Sequence, residues 1–170
     1  GLASCRRRPL SSNVRPQKMR LIRSLLPFFI GFAWLYIVLI QLRGFMAARQ
    51  VPVEYFRFFG KEHQELALFT TNVALHLVPE ALALIAGVVI SAYLFKGGRS
   101  FNAAMFALGA AVSCVFWLVF YQVVAQAQAN GEPGLNWQEL LAQFQAPWWA
   151  APALLSPVIG VAVGVWVATR

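Results

Sequence analysis

The chain has 170 residues, of which 59% are hydrophobic and 12% are charged, and its mean hydropathy is +0.62. Soluble domains carry about 25% charged residues, so this composition excludes an ordinary soluble domain and predicts an integral membrane protein. The net charge is +8, but seven of the fourteen Lys and Arg residues fall within the first 23 positions. This clustering argues against a folded nucleic-acid-binding surface, so we expect no nucleic acid among the partners.

Residues 1–20 form a basic segment with no apolar periodicity, and we predict a disordered amino-terminal tail. One alternative is that the native chain starts at Met19, which would make the preceding residues an artefact. Another is an Arg- and Ser-rich transit peptide, which would place the protein in the inner membrane of an organelle. Pro9 and Pro16 disfavour the transit peptide, because they interrupt any amphipathic helix drawn through the tail.

Four segments are long and apolar enough to cross a bilayer, which requires about 20 residues. They cover residues 25–42, 66–95, 101–125 and 148–169. No stretch alternates in the manner of a strand. We therefore predict an all-α fold in which residues 21–170 form one bundle of four transmembrane helices.

The distribution of cations predicts the orientation of these spans. With the amino terminus in the cytoplasm, the inner side holds ten Lys and Arg residues, and the outer side holds Arg43, Arg49, Arg57 and Lys61. The loop between the third and fourth spans has no cation. Because cytoplasmic loops are enriched in Lys and Arg, we predict both termini inside and a location in the bacterial inner membrane.

Both outer loops contain a short amphipathic helix. The first follows Pro52, and the second begins at an Asn136 cap with Glu139 three residues later, as in a capping box. Their apolar faces comprise Tyr55, Phe56 and Phe59 in the first, and Trp137, Leu140, Leu141 and Phe144 in the second. We predict that both lie in the membrane interface, where they either cover the bundle or offer a docking platform to a partner.

The second span carries Asn72, His76 and Glu80 at four-residue spacing. At 100° per residue these side chains fall within about 80° of one another, so they share one face of the helix. Pro79 lies beside them and frees the backbone carbonyl of Leu75. We predict an intramembrane polar site and a kinked helix at this position.

Glu80 has two possible roles. A carboxylate inside a bilayer costs about 2.5–3.5 kcal/mol, and no Lys or Arg lies within another predicted span to pair with it. It is expected to be neutral or paired with a protonated His76, either as a proton- or cation-coupled site or in a hydrogen-bonded cluster. Tyr36, Tyr121 and Gln122 are the other candidate partners. In the structural case, Glu80→Gln should be nearly neutral or stabilising, because a neutral amide is cheaper to bury.

Small residues at four-residue spacing indicate close helix packing. The fourth span carries such a ladder at Ser156, Gly160, Gly164 and Ala168, and the third carries one at Ala103 and Ala107. No metal site is predicted, because one His and one Glu, even with Cys114 as a third ligand, do not complete a coordination set.

The sequence contains no catalytic triad, HExxH motif or phosphate-binding loop. We therefore predict a protein that is not an enzyme and needs no cofactor. The favoured function is an accessory or assembly component that contacts the bilayer and other membrane subunits or itself. The alternative is a small oligomeric proton- or cation-coupled transporter or channel that uses the intramembrane polar stripe of Asn72, His76 and Glu80.

Overall fold

The structure, a computed structural model, describes residues 14–49, 51–131, 134–142 and 145–170. Most of these described residues are helical, and none of them forms a strand. The elements are α1 (Val14–Tyr36), a π-helical segment (Ile37–Leu42), α2 (Arg43–Ala47), α3 (Val53–Phe59), a 3₁₀ turn (Lys61–His63), α4 (Gln64–Asn72), a second π-helical segment (Val73–Leu77), α5 (Val78–Leu94), α6 (Arg99–Asn130), α7 (Trp137–Ala142), a second 3₁₀ turn (Trp148–Ala150) and α8 (Ala151–Thr169).

Within the described residues, four continuous helical stretches are long and apolar enough to cross a membrane, which confirms the predicted number. We call them span 1 (Ser24–Met46), span 2 (Lys61–Leu94), span 3 (Arg99–Ala129) and span 4 (Trp148–Thr169). Helix α1 begins at Val14, inside the segment predicted to be a disordered tail, whose residues 1–13 lie outside the described part of the chain.

Span 1 is longer than the sequence predicted. Its helix runs through the π-helical segment and continues past Leu42 as α2, so Arg43 lies within the span and not in the loop after it. A charged residue ordinarily ends an apolar segment because its desolvation is costly. Here a buried carboxylate on span 2 compensates the charge of Arg43, and the helix can continue.

Spans 1 and 3 approach each other through a reciprocal pair of glycines. A Cβ atom on Gly31 would overlap the backbone carbonyl of Phe106, and one on Gly109 would overlap that of Phe28. Phe28 and Gly31 are three residues apart in span 1, and Phe106 and Gly109 are three residues apart in span 3. The four positions therefore form one contact patch. The absence of a side chain at Gly31 and Gly109 therefore sets the distance between these two helices.

Spans 2 and 4 pack through the glycines that the sequence singled out. A Cβ atom on Gly160 would lie 2.9 Å from Cα of Ala81, and one on Gly164 would lie 2.9 Å from Cβ of Val88. In span 3, Ala103 is fully buried and Ala107 is partly buried. The glycine ladder of span 4 is thus used within this chain.

The π-helical segment in span 2 is explained by Pro79. A proline inside an α-helix loses one backbone hydrogen bond, and its ring clashes with the carbonyl four residues before it. That carbonyl belongs to Leu75, at the centre of the Val73–Leu77 segment. The wider π-helical turn relieves the clash, and it ends three residues before Glu80. Such turns are frequent at functional sites.

The two predicted short helices are present at one end of the bundle, which we call the short-helix end. Helix α3 packs onto span 2, where the Tyr55 hydroxyl hydrogen bonds to the Thr70 hydroxyl. Helix α7 is capped by Asn136, whose Oδ1 accepts a hydrogen bond of 3.1 Å from the Gln138 backbone.

The side chains on the predicted apolar faces are placed differently in the two helices. Tyr55, Phe56 and Phe59 of α3 are half-buried, whereas Trp137 and Leu141 of α7 are exposed. The side chains of Leu140 and Phe144 lie outside the described part of the chain. Helix α3 thus packs against span 2 of this chain.

Candidate functional site

Glu80, in the first turn of α5, is fully buried and forms a bidentate ion pair with Arg43. Arg43 Nε donates to Glu80 Oε1 at 2.8 Å, and Nη2 donates to Oε2 at 2.7 Å. The expectation that no Lys or Arg could pair with Glu80 was wrong. The extra turn of span 1 carries Arg43 inward, where its planar guanidinium matches the carboxylate.

Span 4 completes the polar cluster. The Ser156 hydroxyl donates to Glu80 Oε2, and Arg43 Nη2 also donates to the backbone carbonyl of Ala153 at 2.7 Å. Ala153 and Ser156 both lie in the first two turns of α8. The ion pair therefore joins three spans, so separating any one of them from the others breaks at least one hydrogen bond.

His76 is a weaker partner of Glu80 than Arg43 is. Its Nδ1 atom lies 3.3 Å from Glu80 Oε1, half an ångström farther than Arg43 Nε from the same oxygen. The His76 side chain is 17% exposed. It lies at the edge of the cluster, and because Arg43 supplies the positive charge, Glu80 does not require a protonated His76.

The other candidate partners of Glu80 have different contacts. The Tyr36 ring stacks on Trp117 of span 3, with 4.5 Å between ring centroids. Glu80 takes its described partners from spans 1, 2 and 4. Tyr121 and Gln122, in span 3, contribute none of these bonds.

Asn72 does not share the environment of Glu80. Its side-chain Nδ2 donates to the backbone carbonyl of Trp149 at 2.9 Å and so fixes the start of span 4 against span 2. The predicted stripe therefore divides into two separate contacts with span 4, one made by Asn72 and one by Glu80. Both are tertiary hydrogen bonds between helices.

The cluster lies toward the short-helix end of the bundle. Ser156 is eight residues after Trp148, where span 4 begins, which corresponds to about 12 Å along the helix. Arg43 is three residues from the end of span 1. Span 2 extends beyond its neighbours at this end, so the middle of its apolar sequence is displaced from the middle of the bundle.

These contacts leave Glu80 with its charge compensated and both oxygens hydrogen-bonded. A buried ion pair of this kind contributes little net stability, but it is costly to break because the remaining partner becomes an uncompensated charge. No three side chains of His, Cys, Asp or Glu meet in a metal-binding arrangement within the described residues. The geometry is that of a polar connection between helices.

The place of Arg43 in the site and the role of Ser156 were not predicted from the sequence. One signal was present, since Arg43 directly follows an apolar run and has the charge opposite to that of Glu80. Ser156 was noted only as a small residue at the start of a packing ladder. Comparisons with known proteins add nothing to this description, because no family model, curated protein or solved structure matches the chain.

Proposed function

We propose that the protein is an integral membrane protein with four transmembrane spans and that it acts as a non-enzymatic accessory or assembly component. Its partner is a second membrane subunit, contacted through the short-helix end. We place it in the inner membrane of a bacterium with both termini in the cytoplasm.

The charge distribution supports this orientation. With Arg43 inside span 1, the cations proposed for the outer side are Arg49, Arg57 and Lys61. The inner side retains its ten, so the difference between the two sides is larger than the sequence alone suggested. The bias toward positive cytoplasmic loops therefore favours the same topology.

The observation that carries the proposal is the state of Glu80. An intramembrane carboxyl that relays protons must exchange them with water or with a neighbouring group. Glu80 is fully buried, and its oxygens accept hydrogen bonds from Arg43 and Ser156. Taking up a proton would break the ion pair, so these contacts favour a structural role over transport.

The short-helix end supplies the surface for a partner. Trp137 and Leu141 of α7 are both exposed although they are large and apolar. Phe58 of α3 is 87% exposed. Exposed aromatic and aliphatic side chains at one end of a bundle are typical of a contact with another subunit or with the lipid interface.

The test is native mass spectrometry of the tagged protein, extracted from its own membrane in a mild detergent. We expect a stoichiometric second polypeptide whose recovery falls at least tenfold in the Trp137→Ser/Leu141→Ser variant. Leu94→Ser is the matched control. Leu94 is also apolar and exposed, but it ends span 2 on the side of the bundle opposite the short-helix end. This variant should retain the partner.

Two outcomes would contradict the accessory role. Equal recovery of the second polypeptide from wild type and the α7 variant would exclude the proposed surface. A homo-oligomer without a second polypeptide, together with proton flux into liposomes that Glu80→Gln abolishes, would instead support the transporter that uses Asn72, His76 and Glu80.

A further inference from the structure

One end of the bundle carries basic side chains and no acidic ones among its described residues. It lies opposite the short-helix end, where span 2 leads into span 3 and where span 4 ends, and we call it the basic end. Its cations include Lys96, Arg99 and Arg170, and all three are exposed. The six acidic residues of the sequence lie at positions 54–80 or 132–139. An uncompensated positive surface of this kind attracts anions.

The packing of spans 2 and 4 brings these cations to one depth. The two helices run in the same direction, and a Cβ atom on Gly164 would lie 2.9 Å from Cβ of Val88. Arg170 is six residues beyond Gly164, and Leu94 is six residues beyond Val88, so both lie about 9 Å past this contact. Lys96 follows Leu94 by two residues. The basic residues of two spans therefore form one charged layer.

Two of the three cations stack on aromatic rings. The guanidinium carbon of Arg99 lies 4.4 Å from the centroid of the Tyr93 ring, and that of Arg170 lies 3.9 Å from the centroid of the Trp166 ring. Both rings are more than half exposed. A stacked guanidinium uses its face, so the N–H donors along its edge remain for a ligand. Exposed Tyr and Trp at the ends of spans are typical of the depth of the lipid head groups.

Asn102 holds the connection between spans 2 and 3 in place. Its side-chain Nδ2 donates to the backbone carbonyl of Phe95 at 3.0 Å, and its backbone N–H donates to that of Gly98 at 3.0 Å. These bonds fix the short connection that carries Lys96 and leads to Arg99. A ligand therefore meets a preorganised backbone, which lowers the entropic cost of binding.

The chemistry of this end selects a phospholipid with a net negative charge. Guanidinium groups match phosphate oxygens, with which they form paired hydrogen bonds. The exposed side chains of Tyr93, Leu94 and Trp166 offer apolar surface beside the cations, as a lipid requires. A zwitterionic head group would bring its own ammonium close to three cations, whereas an anionic head group brings only negative charge.

We propose that the basic end binds the head groups of anionic phospholipids and that Arg99 and Arg170 hold the phosphate. This inference rests on the proposed insertion into a membrane but not on the partner subunit, which is placed at the opposite end. In the proposed topology the basic end faces the cytoplasmic leaflet, where anionic lipids create a negative surface potential. Each basic residue near such a surface strengthens binding about fivefold.

The test is native mass spectrometry of the full chain in a nonionic detergent, titrated with dioleoylphosphatidylglycerol or dioleoylphosphatidylcholine. The two lipids have identical acyl chains, so a difference in affinity comes from the head group. We expect phosphatidylglycerol to bind at least about tenfold more tightly. In Arg99→Gln/Arg170→Gln its affinity should fall about tenfold or more, while that of phosphatidylcholine should change less than about threefold.

Arg49→Gln/Arg57→Gln is the matched control, because it removes the same two charges. Arg49 also stacks on a ring, with its guanidinium carbon 4.6 Å from the centroid of Phe45. Both arginines are exposed, but they lie at the short-helix end, where Glu54 and Glu62 are exposed as well. This variant should bind phosphatidylglycerol within about threefold of wild type.

Three outcomes would overturn the proposal. One is equal affinity of wild type for the two lipids, and another is an equal loss of phosphatidylglycerol binding in the two double variants. The third is displacement of the lipid by an equal concentration of glycerophosphoglycerol, the same head group without acyl chains, because the end would then bind soluble phosphate esters. A chain that binds neither lipid would contradict membrane insertion itself, and with it the proposed function.

Discussion

Glu80→Gln is expected to lower the free energy of unfolding by about 2–4 kcal/mol, measured by reversible unfolding in mixed detergent micelles. Removing one partner of a buried ion pair costs about 3–5 kcal/mol, and the partial exposure of Arg43 reduces this penalty. The sequence alone led to the opposite expectation for a structural Glu80. An amide is cheaper to bury than an isolated carboxylate, but it cannot compensate the guanidinium of Arg43.

Two serines provide the matched comparison for this cluster. Ser156→Ala removes a hydroxyl that donates to Glu80 and should cost about 1–2 kcal/mol. Ser113→Ala removes an equally buried hydroxyl that has no hydrogen-bond partner in the described part of the chain, so it should be neutral or stabilising. Equal effects of the two changes, together with a neutral Glu80→Gln, would show that the cluster does not hold the spans together.

Gly109→Ala and Gly31→Ala are each expected to destabilise the bundle by about 3 kcal/mol in the same assay. Each new methyl group would overlap a backbone carbonyl of the facing helix. Backbone atoms cannot rotate away as a side chain can, so spans 1 and 3 must separate along this contact. Overpacking of this kind usually costs about 1–3 kcal/mol, and the rigid contact places both glycines at the upper end.

Gly44→Ala is the control for these two substitutions. Gly44 also lies in span 1, but a Cβ atom there would meet no neighbour within 4 Å. Alanine favours a helix over glycine by up to about 1 kcal/mol, so this variant should be as stable as wild type or more stable. A loss of stability in Gly44→Ala equal to that in Gly109→Ala would exclude the close contact as the cause.

The sequence predicted the elements of this fold better than the contacts between them. Hydropathy and length were sufficient for the four spans, because each signal lies within one contiguous segment. The helix cap at Asn136 could be predicted for the same reason, because it involves only neighbouring residues. The polar face of span 2 was also evident, since it depends only on the helical spacing of Asn72, His76 and Glu80.

The contacts that these residues make with other helices could not be predicted from local sequence. Whether Arg43 belongs to a loop or to a span depends on Glu80, which lies 37 positions later and on another helix. Gly31 and Gly109 were missed because neither has a second glycine four residues away to mark a packing face. Gly160 and Gly164 formed such a pair, and the structure places both against span 2.

The central physical claim is that Arg43 and Glu80 act as one unit that joins the spans, and a double-mutant cycle tests it most directly. The cycle compares unfolding free energies of wild type, Arg43→Met, Glu80→Met and the double variant. We predict a coupling energy of at least about 2 kcal/mol, with the double variant more stable than either single one, because apolar replacement of both partners is tolerated. Additive losses, with a coupling energy below about 0.5 kcal/mol, would contradict the account.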